Sequence, residues 1–318
     1  MKKILLICSL SALIWSCNQS SSVEKEIEKI PQNVELIRFD QAFMESKNLS
    51  ELKNNYPYLF PENVPMEYWT SKQTDSLFIE LNQEVNKHFT DTKELESELK
   101  LLFQHIKYYY PEQNPEKVIT LINEVDTPYR AIYTDSISFV ALDNYLGKDH
   151  RFYQVFDQYM RIDFEPEKIP VDLANDFLHQ HIKSANDRVF LSQIIDAGKI
   201  LYGMDLLLPN KSDYLKIGYT PEQLDWCKAN EKQIWEYFVS KKILYDTDPK
   251  LYGRFIQQAP FSKFYLELDQ ESPGKVGVYI GWQIVKAYMK KNPVTLQELS
   301  ETNYQDIFDN ANYKPTKQ

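Results

Sequence analysis

Two histidines, His179 and His181, stand two residues apart in a stretch that otherwise reads as helix, residues 171–209 (VDLANDFLHQHIKSANDRVFLSQIIDAGKILYGMDLLLP). A helical zinc centre of the His-Glu-x-x-His kind needs its histidines four apart. Only then do both rings leave one face of the helix, with the intervening glutamate placed as general base toward a metal-bound water. A spacing of two turns the rings about 200° apart. If His181 is the second ligand, the first ligand position holds Phe177 and the base position Leu178. If His179 is the first ligand, the base position holds Gln180 and the second ligand position Lys183. Each registration lacks a ligand and the carboxylate, so neither a catalytic nor a metal site is expected on this helix, and no cofactor.

Other residues capable of chemistry read more simply as structure. Cys227 lies between Trp226 and Lys228 on a predicted helix and is expected to be a small buried residue. Asp269 and Glu271 precede a Pro-Gly pair and suit a solvated loop or a helix N-terminus. Tyr108, Tyr109 and Tyr110 are consecutive, so on a helix they point in different directions and suit packing rather than a sugar platform. Gly277 and Gly281, four apart on the last long helix, leave a notch for close approach of a neighbouring helix, expected to be residues 171–187 or 188–203. There is no glycine-rich phosphate loop and no Gly-x-Ser-x-Gly elbow.

The elements that must position these residues are mostly helical. Val171, Ala174, Leu178 and Ile182 draw one apolar stripe, and the polar run 183–187 breaks it before a second helix from near Arg188. Helices are also predicted over 74–88 and 94–110, from the Thr220-Pro221-Glu222-Gln223 capping box to about Lys242, from Asp248-Pro249, and from Ser272-Pro273 to near Pro293. Strand character is confined to 118–125, 131–134 and 138–145, with a short alternating run at the start of 34–43. Three strands followed by a long helix predict a small sheet with the 171–182 helix laid across it. Only 8 glycines among 318 residues also argue for helices. The fold class expected is α+β, helix-dominated, one domain over residues 34–318.

The N-terminus speaks of destination. Lys2 and Lys3 precede an apolar run that is too short to span a bilayer, and then comes Ile14-Trp15-Ser16-Cys17. A small residue before a cysteine, followed by an abrupt polar tail, is the pattern of a bacterial lipoprotein signal. Residues 1–16 are expected to be removed and Cys17 acylated. Asn18 in place of aspartate points to the outer membrane, and residues 17–33 read as a flexible tether. With 36 basic against 46 acidic residues, a net charge of −10 disfavours nucleic acid as a partner. Only Cys227 remains in the body, so no disulfide framework is available.

Several stretches resemble the gliding motility lipoprotein GldB family: residues 198–209 (GKILYGMDLLLP), 216–227 (KIGYTPEQLDWC), 233–238 (QIWEYF) and 260–289 (PFSKFYLELDQESPGKVGVYIGWQIVKAYM). That resemblance implies a membrane-tethered part in the envelope machinery of gliding, linked to type IX secretion, with envelope proteins as partners and no enzymatic activity. A fainter resemblance is to predicted zinc metallopeptidases, in which a Glu-Gly pair after the His helix supplies the third ligand. Here Asp196-Ala197-Gly198 stands near that place, which implies a degenerate zincin-like fold without its chemistry. The competing reading is a periplasmic metal enzyme with an unorthodox ligand set, His181, Asp196 and Glu267.

Overall fold

The computed structural model describes residues 22–267 and 269–315. Its sheet is built from runs whose β-branched and aromatic side chains suit a buried pleat. The strands are β1 (Glu35–Arg38), β2 (Lys117–Leu121), β3 (Ala131–Ile132) and β4 (Ile137–Ala141), in the order β1-β2-β4-β3. β1, β2 and β4 run parallel, with Ile37 opposite Ile119 and Ile119 opposite Phe139. β3 is antiparallel to β4, with Ile132 opposite Phe139. The fold is helix-dominated with this one small mixed sheet, and all of it surrounds one continuous core.

The sheet has a fourth strand where three were expected, because the alternating start at Glu35 pairs in parallel with β2 before the chain turns helical at Phe39. The parallel pairing requires a long crossover, supplied by the helices between residues 39 and 109. The longest of these, Lys93–Tyr109, buries Leu99, Leu102, Phe103 and Ile106 at helical spacing. It ends where Tyr110 leaves the helix just before Pro111.

The helix Ile169–His181 lies along β3, and hydrogen bonds fix it there. Asp176 accepts from the Tyr133 backbone N–H at 2.7 Å, and Gln180 donates to the Tyr133 carbonyl at 3.0 Å. The second helix runs Phe190–Leu207, and the predicted capping box opens Pro221–Ser240 with both of its hydrogen bonds formed.

The glycine notch is filled by the second of the two helices expected there. Phe190–Leu207 crosses the Val276–Lys291 helix so closely that a Cβ on Gly281 would stand 1.7 Å from the Ile194 carbonyl oxygen. A Cβ on Gly198 would stand 2.4 Å from the Gly281 carbonyl. One sequence expectation needs correcting nearby. The last long helix begins at Val276 rather than at Ser272. Ser272 is clasped to the Ser262 backbone, and a Cβ on Gly274 would meet the Ala259 carbonyl oxygen at 2.3 Å, so 272–274 stay in a tight loop. Lys275 then enters the helix in the left-handed region, φ 58°.

The expectation of a flexible tether over 17–33 is corrected for its second part. Residues 22–33 belong to the folded body: Ile27 is fully buried, Gln104 donates to the Ile30 carbonyl at 2.8 Å, and His105 meets Glu24 at 3.1 Å. The apolar Ile27 inside a charged run gives this segment something to bury, which a charge-based reading overlooks. Cys17 and the leader lie outside the described residues. Among those described, no helix is long and apolar enough to cross a membrane.

Candidate functional site

The two histidines part company, as their spacing requires. His181 turns inward, stacked on Phe177 at 4.1 Å and edge-on to Tyr110 at 5.1 Å, with Nδ1 at 2.8 Å from the Phe177 carbonyl. His179 turns the other way, to the rim of a cavity of about 240 Å³ between the Ile169–His181 and Phe190–Leu207 helices. The residue is largely exposed, and part of it is taken from water against the cavity wall. That burial lowers its pKa, against the pull of Asp176.

Neither registration weighed above is the one that the fold presents. Counted back four residues from His179, the partner on the same face is Asn175, and the acidic position between them is Asp176. Asn175 and His179 line the cavity together with Ala197 of the facing helix. An amide, an imidazole and a methyl group thus occupy three converging positions, and the Asp176 carboxylate is engaged by the Tyr133 N–H and by Gln180 at 3.0 Å. A neutral amide oxygen is a weak ligand for zinc and alanine is none.

The alternative ligand set is not assembled. Asp196 accepts from Ser184 at 2.9 Å and from the Ala185 N–H at 2.8 Å, and Glu267 is exposed in the loop that precedes Asp269. Among the described residues no group of three or more His, Cys, Asp or Glu side chains could hold a metal ion. Asp269, expected in a solvated loop or at a helix N-terminus, opens the short helix Asp269–Glu271 and organises the loop before it: it accepts the N–H groups of Phe264, Tyr265 and Leu266 at 3.1, 2.8 and 3.1 Å. Cys227 is fully buried and its thiol is pushed up to about 12 by that burial, so it is inert.

What the cavity does contain is positive charge, which no local sequence pattern announced. Arg130, Lys168, Lys216 and Lys275 come from four separate segments and line one space. Three have partners: Arg130 meets Asp172 at 2.8 Å, Lys168 meets Asp163 at 3.1 Å, and Lys216 meets Asp205 at 2.9 Å. Burial alone would raise Asp163, but Lys168, Lys275 and Arg130 outweigh it and hold the carboxyl at about 2. Asp205 also accepts from the buried Trp282 indole at 2.9 Å, tying the charged cluster to the crossing helix.

A search of curated proteins and one of solved structures each returned no match. The sequence model for the gliding motility protein GldB family matches residues 20–315, essentially the whole folded body, including both helices of the cavity and the glycine crossing. By that match, this chain belongs to the GldB family of gliding motility proteins.

Proposed function

We propose that the protein is a non-catalytic, lipid-anchored component of the gliding apparatus, tethered through acylated Cys17 to the outer membrane with its body in the periplasm, and working with the type IX secretion machinery. In this reading the fold is a degenerate relative of a zincin. One observation carries the non-catalytic part: the helix pair that would hold a zinc centre presents Asn175, His179 and Ala197, with Asp176, at the general-base position of that register, already engaged by the edge of the sheet. The surrounding charge supports it too. A divalent cation placed beside Arg130, Lys168 and Lys275 would be repelled in a partly dehydrated space. The lipid anchor rests on the Ser16-Cys17-Asn18 junction, and the secretion link on what the resemblance of residues 198–289 implies.

The test has two arms. Protein purified without chelator is expected to carry far less than one zinc per chain, and His179→Ala cells should still glide at normal protein abundance. Stoichiometric zinc lost in His179→Ala, together with loss of movement, overturns the non-catalytic reading. Cys17→Ala should release the protein from membranes; a mutant that stays membrane-bound through a high-salt wash overturns the anchor.

A further inference from the structure

Of the four cations around the cavity, Lys275 is the one without a counter-charge. Its ammonium donates to the Ile217 carbonyl at 2.6 Å, and among the described residues no carboxylate pairs with it. The nearest carboxylate in its surroundings, Asp163, is already bound to Lys168. With Arg130, Lys168 and Lys216 each neutralised by their own aspartates, the cavity holds one positive charge in surplus. An uncompensated ammonium enclosed by protein is costly, and a fold that keeps one has a use for it.

The backbone is shaped to place that ammonium. Lys275 adopts φ 58°, a conformation that a lysine takes only under constraint, and it does so directly before a 16-residue helix. The positive end of that helix adds to the field. Opposite it, Gly218 also lies in the left-handed region, φ 69°. A Cβ there would stand 3.1 Å from both the Lys275 ammonium and the Asp163 carboxylate. Glycine leaves the floor of the cavity open where any side chain would cover it.

We propose that this cavity binds a carboxylate monoanion carried on an apolar body about the size of one residue. The single surplus charge fits a monoanion rather than a phosphate dianion. The apolar part of the lining is Val171, Ile200, Leu201, Met204 and Val278, which suits an aliphatic group. The volume, about 240 Å³, falls below the range of roughly 300–1,000 Å³ usual for drug-sized ligands, so it takes a fragment. A free aliphatic acid and the C-terminal residue of a polypeptide share this chemistry. The inference does not depend on the proposed role in gliding, because it is read as binding to the purified protein.

The experiment is calorimetric titration of the full-length protein in detergent with N-acetyl-leucine, N-acetyl-leucinamide, inorganic phosphate, and an acetylated tetrapeptide ending in leucine. The carboxylates are expected to bind, while the amide and phosphate should be at least about tenfold weaker. Lys275→Met should lower carboxylate affinity by about tenfold or more, and Lys275→Arg should restore most of it. Lys183→Met, at an exposed site, should change nothing. A tetrapeptide that binds more tightly than its terminal residue assigns a chain terminus, and equal affinity assigns a free acid; either upholds the carboxylate. The proposal is overturned if the amide or phosphate binds as well as the acid. It is also overturned if Lys275→Met binds unchanged, or if wild-type protein with a native circular dichroism spectrum binds no carboxylate up to about 10 mM.

Discussion

Gly281→Ala isolates the contact on which the crossing of the Phe190–Leu207 and Val276–Lys291 helices depends. The added methyl would stand 1.7 Å from the Ile194 carbonyl oxygen and 2.4 Å from its carbon, and ordinary contact begins near 3.4 Å. Both obstructing atoms are backbone, so no rotamer change relieves the clash, and the helices must part by about 1.5 Å. That separation loosens the packing of Trp282, Ile280 and Ile284 against Ile194 and Ile195, all fully buried. Overpacking usually costs about 1–3 kcal/mol, with flexible side chains absorbing part of it. Here nothing flexible is available, so the expected loss is about 3 kcal/mol or more. At roughly 2–4 °C per kcal/mol this lowers the melting temperature by about 6–12 °C. Urea denaturation followed by circular dichroism measures it directly. Gly253→Ala is the control: its Cβ would meet only Gln257 Oε1 at 3.7 Å, in the helix Lys250–Phe255. That change should be neutral or stabilising by about 0.5–1 kcal/mol. If Gly281→Ala stays within about 1 kcal/mol of wild type, or if both alanines are equally harmful, the close crossing is not what the reasoning takes it to be.

Three further outcomes are expected. Gly198→Ala meets the same crossing from the other side, at 2.4 Å from the Gly281 carbonyl, and should lose comparable stability in the same urea assay. Asp143→Ala should cost about 2–4 kcal/mol, because the buried carboxylate accepts the Asn123 and Val125 N–H groups at 3.1 and 2.7 Å and holds Glu124 and Val125 at φ 60°. Burial drives Lys275 from 10.5 down to about 8, against the pull of Asp163. Between those values the unfolded chain holds a proton that the folded chain has shed, so its contribution to stability rises with pH from about 8 to 10.5 and is unfavourable below. Solvent at the cavity mouth screens part of this, leaving about 2 kcal/mol that Lys275→Met should recover at pH 7 and not at pH 10.5, by urea titration at the two values.

Much of the fold was legible because its signals are local. The capping box at Thr220, the stop at Pro111 and the apolar stripe from Val171 to Ile182 each depend on neighbours within a few residues, and each falls within a few residues of its predicted place. The glycine notch was also legible, since Gly277 and Gly281 lie four apart, although only the fold chooses which helix fills it. What failed to show was anything assembled across the chain. The alternating run at β1 shows in the sequence, but not that it pairs with β2 at Lys117–Thr120, far along the chain, and Ile27 gives little sign that an otherwise charged segment is docked. The histidine pair misled for a related reason. His179 and His181 share an i, i+2 spacing, whereas the residue on the same face as His179 is Asn175, whose amide does not advertise a ligand position. The basic cavity was the least legible feature, because Arg130, Lys168, Lys216 and Lys275 have nothing in common in sequence except charge.

The glycine crossing and the cavity are parts of one construction. The Phe190–Leu207 helix supplies Gly198 to the crossing and, immediately before it, Ala197 to the cavity wall, followed by Ile200, Leu201 and Met204. The Val276–Lys291 helix supplies Gly281 to the crossing and carries Lys275 at its head, in the cavity floor. Trp282, next to Gly281, reaches Asp205, which in turn holds Lys216. Pressing the two helices together therefore fixes the distance between an apolar wall and a row of cations. Ala197 is small where a glutamate would reach across that space, so the room a ligand side chain would have used stays open. On the proposed reading, a scaffold suited to hold a metal has kept its rigid helix pair and its cavity while the charge inside reversed. Such a reversal excludes a cation and admits an anion without altering the packing that makes the site precise. It follows that variants at the glycines should disturb stability and carboxylate binding together, whereas variants at Lys275 should disturb binding while leaving the fold intact.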